Sequence, residues 1–347
     1  MTGNCKSYSK IVLSVFCTLT IGASVVAEDR IFPAAGGRVS GKITEATKDN
    51  IIIEANGKTQ KFAPNDVVRI QFDGEPQPLA RAKEFVSNGQ LEPAMLEIKK
   101  VDAASLMTDD HKKEFAYYKW FIEGRLALIG KGDAAGAVKG LLAFAKENPQ
   151  TFHFYEMTEN LGNLASALGS FDRAAVYYAA LAKSPVREVQ VRGKYLEGRS
   201  LLTQQKVAEA KKAFSDISGV SGDTPAIART KKLALVALAR CEAISGDAPA
   251  AVDSLQKLVK ENDSTDGELF ANIYNAQGEC LAKMEQYEGA VLAFLHTDLL
   301  FANQADSHAE ALYHLSSLWT KLGEPQRAAD AKARLLSLYA GSSWAKK

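Results

Sequence analysis

The chain has 347 residues, 46% of them apolar and 24% charged, with 42 Lys and Arg against 41 Asp and Glu. That length allows two or more domains, and the composition is that of an ordinary folded protein. A formal net charge of +1 with both signs interspersed excludes the basic footprint of a nucleic-acid binder and the acidic tail of a charged arm.

The first element is a processing segment, residues 1–27. Lys6 and Lys10 precede an apolar stretch from Ile11 to Val26, and Val25-Val26-Ala27 leads into Glu28-Asp29-Arg30. Basic, apolar, then small is the order of a secretory signal peptide, with cleavage expected after Ala27. The stretch carries Ser14, Thr18, Thr20 and Ser24 and is short for a membrane span, which needs about 20 apolar residues. No later stretch is apolar enough to span. The expectation is an exported chain, periplasmic or envelope-associated, with no stable span after cleavage.

Residues 28–76 have a different period. Arg38 to Ala46 alternates polar and apolar residues, and Ile51 to Glu54 is β-branched. Asn56-Gly57 signals a hairpin that returns through Thr59 to Phe62, and Val67 to Phe72 follows as a further strand. A small all-β module is predicted, a bent meander or SH3-like barrel. Its opening Gly37, Val39, Gly41 and Ile43 are loosely similar to Sm-like RNA-binding folds. With seven Lys/Arg against eight Asp/Glu in this segment, it lacks the charge to exploit phosphate contact, and no nucleic-acid partner is expected.

From residue 78 to 347 the pattern is helical and repeats. An Ala followed four residues later by a bulky residue recurs as Ala94/Ile98, Ala137/Leu141, Ala174/Tyr178, Ala210/Phe214, Ala251/Leu255 and Ala290/Phe294, with Ala328/Lys332 as a weaker copy. Twelve residues before each anchor stands a small residue: Ala82, Gly162, Gly198, Ala239, Gly278 and Ser316. The second copy departs, with Arg125 in phase and Gly124 one place off. Breaks such as Asn88-Gly89-Gln90, Gly169-Ser170, Gly246-Asp247 and Gly323-Glu324 divide about seven pairs of amphipathic helices. Such units cannot bury an apolar face alone and must stack. Cys241 and Cys280 occupy equivalent positions in adjacent units. Stacked helices lie roughly 8–10 Å apart, beyond the about 7 Å a disulfide spans, so buried free thiols are expected.

These residues resemble a tetratricopeptide repeat. The resemblance rests on Leu161-Gly162 with Gly169-Ser170-Phe171, Ala174 and Tyr178. It continues through Gly198, Leu201, Ala210 and Phe214, and through Gly278, Leu281, Tyr287, Ala290 and Phe294. It implies a mainly α fold, a right-handed α-solenoid whose first helices line a concave groove for a peptide or helix. In that phase the groove includes Asn160, Asn163, Arg192, Tyr195, Arg199, Arg240, Asn272, Asn275 and Tyr313. Family members that clamp a terminal carboxylate need a Lys where this chain has Glu159. The stretch from Leu335 to Ala345 also looks like repeats of exported bacterial envelope proteins.

No catalytic pattern accompanies the array. His111, His153, His296, His308 and His314 are scattered, and no Cys-x-x-Cys, Gly-x-Ser-x-Gly or phosphate-binding loop occurs. The reading is a non-enzymatic scaffold for a protein or peptide client, with no cofactor and no metal. Its alternative is a self-assembling envelope component stacking through the Trp344 end.

Overall fold

The computed structural model describes residues 28–222 and 224–347; the signal segment predicted for residues 1–27 lies outside them. Five antiparallel strands come first: β1 (Asp29–Pro33), β2 (Val39–Ala46), β3 (Ile51–Ala55), β4 (Lys58–Phe62) and β5 (Val67–Gln71). They form one sheet in the order β4-β3-β2-β1-β5. Asn56 and Gly57, with φ of 51° and 72°, make the two-residue turn between β3 and β4. The unpredicted strand is β1, which lies inside the sheet. The Asp29 carboxylate ties its start to both flanks, accepting from the backbone of Ile43 at 2.8 Å and of Asp73 at 2.9 Å. Ile31, Ile51, Ile53, Ile70 and Phe72 form the buried core of the sheet.

Among the described residues, fourteen α-helices follow as seven antiparallel hairpins. The first three pair α1 (Gln77–Ser87) with α2 (Leu91–Ile98), α3 (Asp109–Leu128) with α4 (Ala134–Glu147), and α5 (Phe154–Ala167) with α6 (Phe171–Ala182). Next come α7 (Arg187–Thr203) with α8 (Val207–Ser218), and α9 (Pro225–Ile244) with α10 (Ala248–Glu261). The last two are α11 (Gly267–Lys283) with α12 (Tyr287–Leu300), and α13 (Ala305–Lys321) with α14 (Pro325–Tyr339). No helix among the described residues is long and apolar enough to cross a membrane.

The recurring Ala and bulky pairs form the seams. Ala94, Ala137, Ala174, Ala210, Ala251 and Ala290 are all fully buried, and so are Leu141, Phe214, Leu255 and Phe294. The small residue twelve places earlier lets a ring pack against the facing backbone. A Cβ added at Gly162, Gly198 or Gly278 would meet the ring of Tyr178, Phe214 or Phe294 at 2.5–2.6 Å. The second hairpin reverses the arrangement: Trp120 of α3 lies against Gly140 of α4. This accounts for the departure there from the sequence rule. Lys332 is exposed on α14, where Ala331 and Leu335 take the buried positions. Cys241 and Cys280 are buried and free, and burial pushes both thiols up to about 11.

Within most hairpins one residue in left-handed conformation ends the first helix. Gly89, Gly169, Gly246 and Gly323 take this position with φ of 72°, 73°, 108° and 74°. In the second hairpin it is Gly130 (φ 81°), three residues before the Asp133 cap of α4. In the fourth and sixth hairpins Gln205 (φ 62°) and Glu285 (φ 58°) occupy it, where a Cβ crowds the following carbonyl. Glu285→Gly is expected to stabilise the chain by roughly 1 kcal/mol, less the extra freedom of glycine when unfolded. Thermal denaturation followed by circular dichroism checks this; an unchanged or lower Tm would count against strain at that turn.

The sheet is built onto the helices. Lys83 of α1 is fully buried, 2.6 Å from Glu75 just after the sheet and 2.6 Å from Glu114 of α3. Glu114 also accepts from His153 Nε2 at 2.8 Å, and Tyr117 stacks on that imidazole with centroids 3.6 Å apart. The His111 imidazole donates to the Asp73 carbonyl at 2.8 Å, and Phe152 packs onto the isoleucine core. The Lys48 backbone amide donates to the Gln150 carbonyl at 2.9 Å. The module is thereby fastened to the first three hairpins.

The other end of the array also returns on the chain. The backbones of Gly341 and Gly130 are in close contact, and either would clash with a Cβ on the other. Ile129 packs on Ala309, Leu312, Leu335 and Tyr339. The last hairpin therefore touches the second, and the arc closes.

Candidate partner-binding groove

Each first helix packs on the next first helix: α3 on α5, α5 on α7, α7 on α9, α9 on α11 and α11 on α13. Their free faces line the inner curve. Opposite charges at matching phase cross successive helices there. Arg192 of α7 donates to Glu159 of α5 at 2.6 Å through Nη2 and at 3.1 Å through Nε. Burial disfavours charge on Glu159, yet the Arg192 guanidinium holds its pKa below the usual carboxylate value. Arg229 of α9 reaches Asp266 at 2.8 Å and Glu268 at 2.6 Å.

The third cluster is the most buried. Arg240 of α9 donates to Glu310 of α13 at 2.8 Å and to Glu279 of α11 at 3.3 Å. Asn275 donates to the same Glu310 carboxylate at 2.6 Å and to the Ser307 carbonyl at 2.8 Å. Burial opposes charge on both carboxylates. Glu310 is nevertheless held low by Arg240 and Asn275, whereas burial and the neighbouring Glu310 push Glu279 up. His314 stacks on Phe294 at 4.7 Å, and burial drives its pKa down to about 4, leaving a neutral imidazole. Donor atoms of Glu279, Glu310 and His314 lie within 4.8 Å of one another. Arg240 already supplies the cation between the two carboxylates, so the set does not need a metal.

Beside this cluster a cleft of about 320 Å³ opens, lined by Arg240, Ala243, Ile244, Glu279, Ala282, Lys283 and His314. Its lining combines apolar Ala243, Ile244 and Ala282 with charges of both signs.

The nine residues predicted for the groove divide by what they touch. Asn160 and Asn275 are buried; the Asn160 amide donates to the Phe121 carbonyl at 3.2 Å. Asn163 accepts from the Tyr178 hydroxyl at 2.9 Å, and Asn272 donates to the Glu268 carbonyl at 2.8 Å. The Tyr195 ring is buried, with Arg192 and Arg199 guanidiniums 5.4 and 5.9 Å from its centroid. Arg240 is held as described. Arg199 is the most exposed of the cations, its side chain 45% accessible, and it reaches across to Asp306 of α13 at 3.9 Å. Tyr313 faces Trp344 at 5.6 Å. Asn160 and Asn275, fully enclosed, hold helices together and present nothing to the groove. Sequence phase missed the acids, Glu279, Asp306 and Glu310, together with Lys283 and His314. A visible signal existed: Arg240 and Glu279 are 39 residues apart, one repeat, with opposite charges.

Seven stacked hairpins, small residues under facing rings and a polar inner curve define a tetratricopeptide-like array. No protein-family model matches the chain, and no curated protein matches it. Solved structures do. A tetratricopeptide repeat protein from Parabacteroides merdae is similar at 16% identity over 78% of this chain and 96% of its own, with a TM-score of 0.49. The apo quorum sensor NprR from B. thuringiensis is similar at 11% identity over 75% of this chain and 86% of its own, TM-score 0.46. YrrB, described as a TPR protein with an unusual peptide-binding site, is 18% identical over 60% of this chain and 97% of its own, TM-score 0.30.

Proposed function

We propose that the chain is a non-enzymatic scaffold that holds a protein or peptide partner along its inner curve. The observation that carries this is the cleft of about 320 Å³ at the seam of α9, α11 and α13. It combines an apolar lining with hydrogen-bonding groups already fixed in place, so a partner docks with little ordering of the receptor. The five histidines are held by structural contacts: His308 of α13, for example, bridges Asp298 of α12 and the Tyr339 hydroxyl of α14 at 2.8 Å each, joining the last two hairpins. The order of charges, apolar run and small residues before Ala27 supports an exported, envelope-associated setting. The β module is read as SH3-like, supported by β1 pairing with both β2 and β5.

A photo-crosslinking amino acid in place of Ile244, in the cleft, tests the scaffold reading against one in place of Val176, which is 68% exposed on α6. The expected result is a partner adduct from position 244 and none from 176 in cells expressing the full chain. Adducts from 176 alone, or from neither, would reject the inner curve as the binding face. Self-assembly is the competing reading; a sedimentation coefficient independent of concentration removes it.

A further inference from the structure

The segment after α14 already occupies part of the inner curve. Its root is fixed: Gly341 lies against Gly130, and Ser342 is buried. Beyond that root no helix or strand forms, and what holds the segment is side-chain chemistry. The Trp344 indole lies 5.6 Å from the Tyr313 ring and 5.8 Å from His314. Three residues later, Lys347 sits 3.6 Å over the Trp344 ring, where burial lowers its pKa while Glu310 and Glu279 favour its charge. Arg240 opposes it there. His314, which Trp344 touches, is also a wall of the open cleft.

This placement fits the local charges. On α13 and α11 the inner face offers Asp306, Glu310 and Glu279, against Arg240 and the more distant Arg199. Two carboxylates share one guanidinium, and their field favours a further cation against the cost of burying it. An aromatic ring beside Tyr313 and His314 gains stacking area. Ser343, Lys346 and Lys347 remain exposed, whereas Trp344 and Ala345 pack on Ala309, Leu312, Leu335 and Tyr339, so these two are the contacts a competing ligand must replace.

We propose that residues 343–347 are a built-in stand-in ligand, and that the inner face of α11 and α13, adjoining the cleft through His314, recognises a peptide carrying an aromatic residue followed closely by a basic one. The incoming peptide displaces Trp344 and Lys347 and continues over Ala243, Ile244 and Ala282. This rests on the scaffold reading above and names the chemistry of its partner.

The test uses the full chain and a fluorescein-labelled peptide of sequence AGSSWAKK added in trans. Trp344→Ala combined with Lys347→Glu empties the site while leaving its root at Gly341 intact. That variant is expected to bind the peptide saturably by fluorescence anisotropy, at least tenfold more tightly than the unaltered chain. Replacing the peptide's Trp by Ala, or adding Glu279→Lys to the protein, is expected to weaken binding at least tenfold. Absence of saturable binding to a variant with unchanged circular dichroism would overturn the proposal, as would equal binding of the Trp-free peptide. Should the double variant lose helix content, Lys347→Glu alone serves, with a smaller rise in affinity expected and no rise overturning the proposal. Peptide binding without partner adducts at position 244 would keep this recognition and reject the scaffold reading. Adducts at 244 without peptide binding would do the reverse.

Discussion

Lys83→Met should cost about 3–5 kcal/mol, because it strands two buried carboxylates without their cation. Lys83 is 0% exposed between Glu75 and Glu114, and neither acid can turn to water without separating the sheet from α1 and α3. The damage should be local first: hydrogen exchange at β1–β5 and α1 should rise before that of α9–α14, since a stacked array responds through its nearest neighbours. The pH dependence supplies a second check. Burial pushes Glu75 up to about 7 from an ordinary 4.5, so the folded chain holds a proton there that the unfolded chain releases. Stability from this group therefore falls as pH rises from 4.5 to 7. Burial also opposes charge on Glu114, but Lys83 and His153 outweigh it and hold its pKa down to about 2. Its contribution is present above pH 4.5 and lost as pH falls towards 2. Without Lys83 both acids titrate upward, and the Tm deficit of the variant should be larger at pH 8 than at pH 5. A deficit independent of pH would mean that lost packing, not unpaired charge, is the cause.

Phe214→Ala should destabilise by about 3–5 kcal/mol, the range for removing a buried aromatic ring from a packed seam. Phe214 is 0% exposed and its ring packs against Gly198. The converse change, Gly198→Ala, places a methyl 2.6 Å from that ring and should cost about 1–3 kcal/mol by overpacking. Combined, the two should cost less than their sum, because alanine at 198 partly fills the space that the ring leaves. Urea denaturation of the four proteins gives the coupling directly. Strict additivity would show that ring and glycine do not share one cavity, contrary to the geometry.

How far the sequence foretold this molecule depends on the range of each interaction. Helix breaks such as Gly169-Ser170 and Gly246-Asp247 are local chemistry, and they stand at those residues. Two other breaks are tolerated rather than favoured, which is why Gln205 and Glu285 carry weaker signals at the same position. The strand β1 was not legible: only Ile31 among its five residues is buried, and its pairing is set by β2 and β5 from elsewhere in the chain. Helical phase names candidates for an inward face, yet it cannot tell which polar groups already have partners. Arg240 reaches Glu310 seventy residues on, and Asn275 disappears into the α11–α13 seam. Opposite charges one repeat apart, such as Arg229 and Glu268, would have flagged the ladder. Nothing in the local pattern announced that Trp344 folds back onto Tyr313 and His314.

The meeting of Gly130 with Gly341 changes the mechanics of the array. Stacked hairpins ordinarily behave as a spring, fraying from the ends and flexing in pitch to wrap what they hold. Here a clasp joins the second hairpin to the last, so the two cannot part in pitch without opening the Gly130–Gly341 contact.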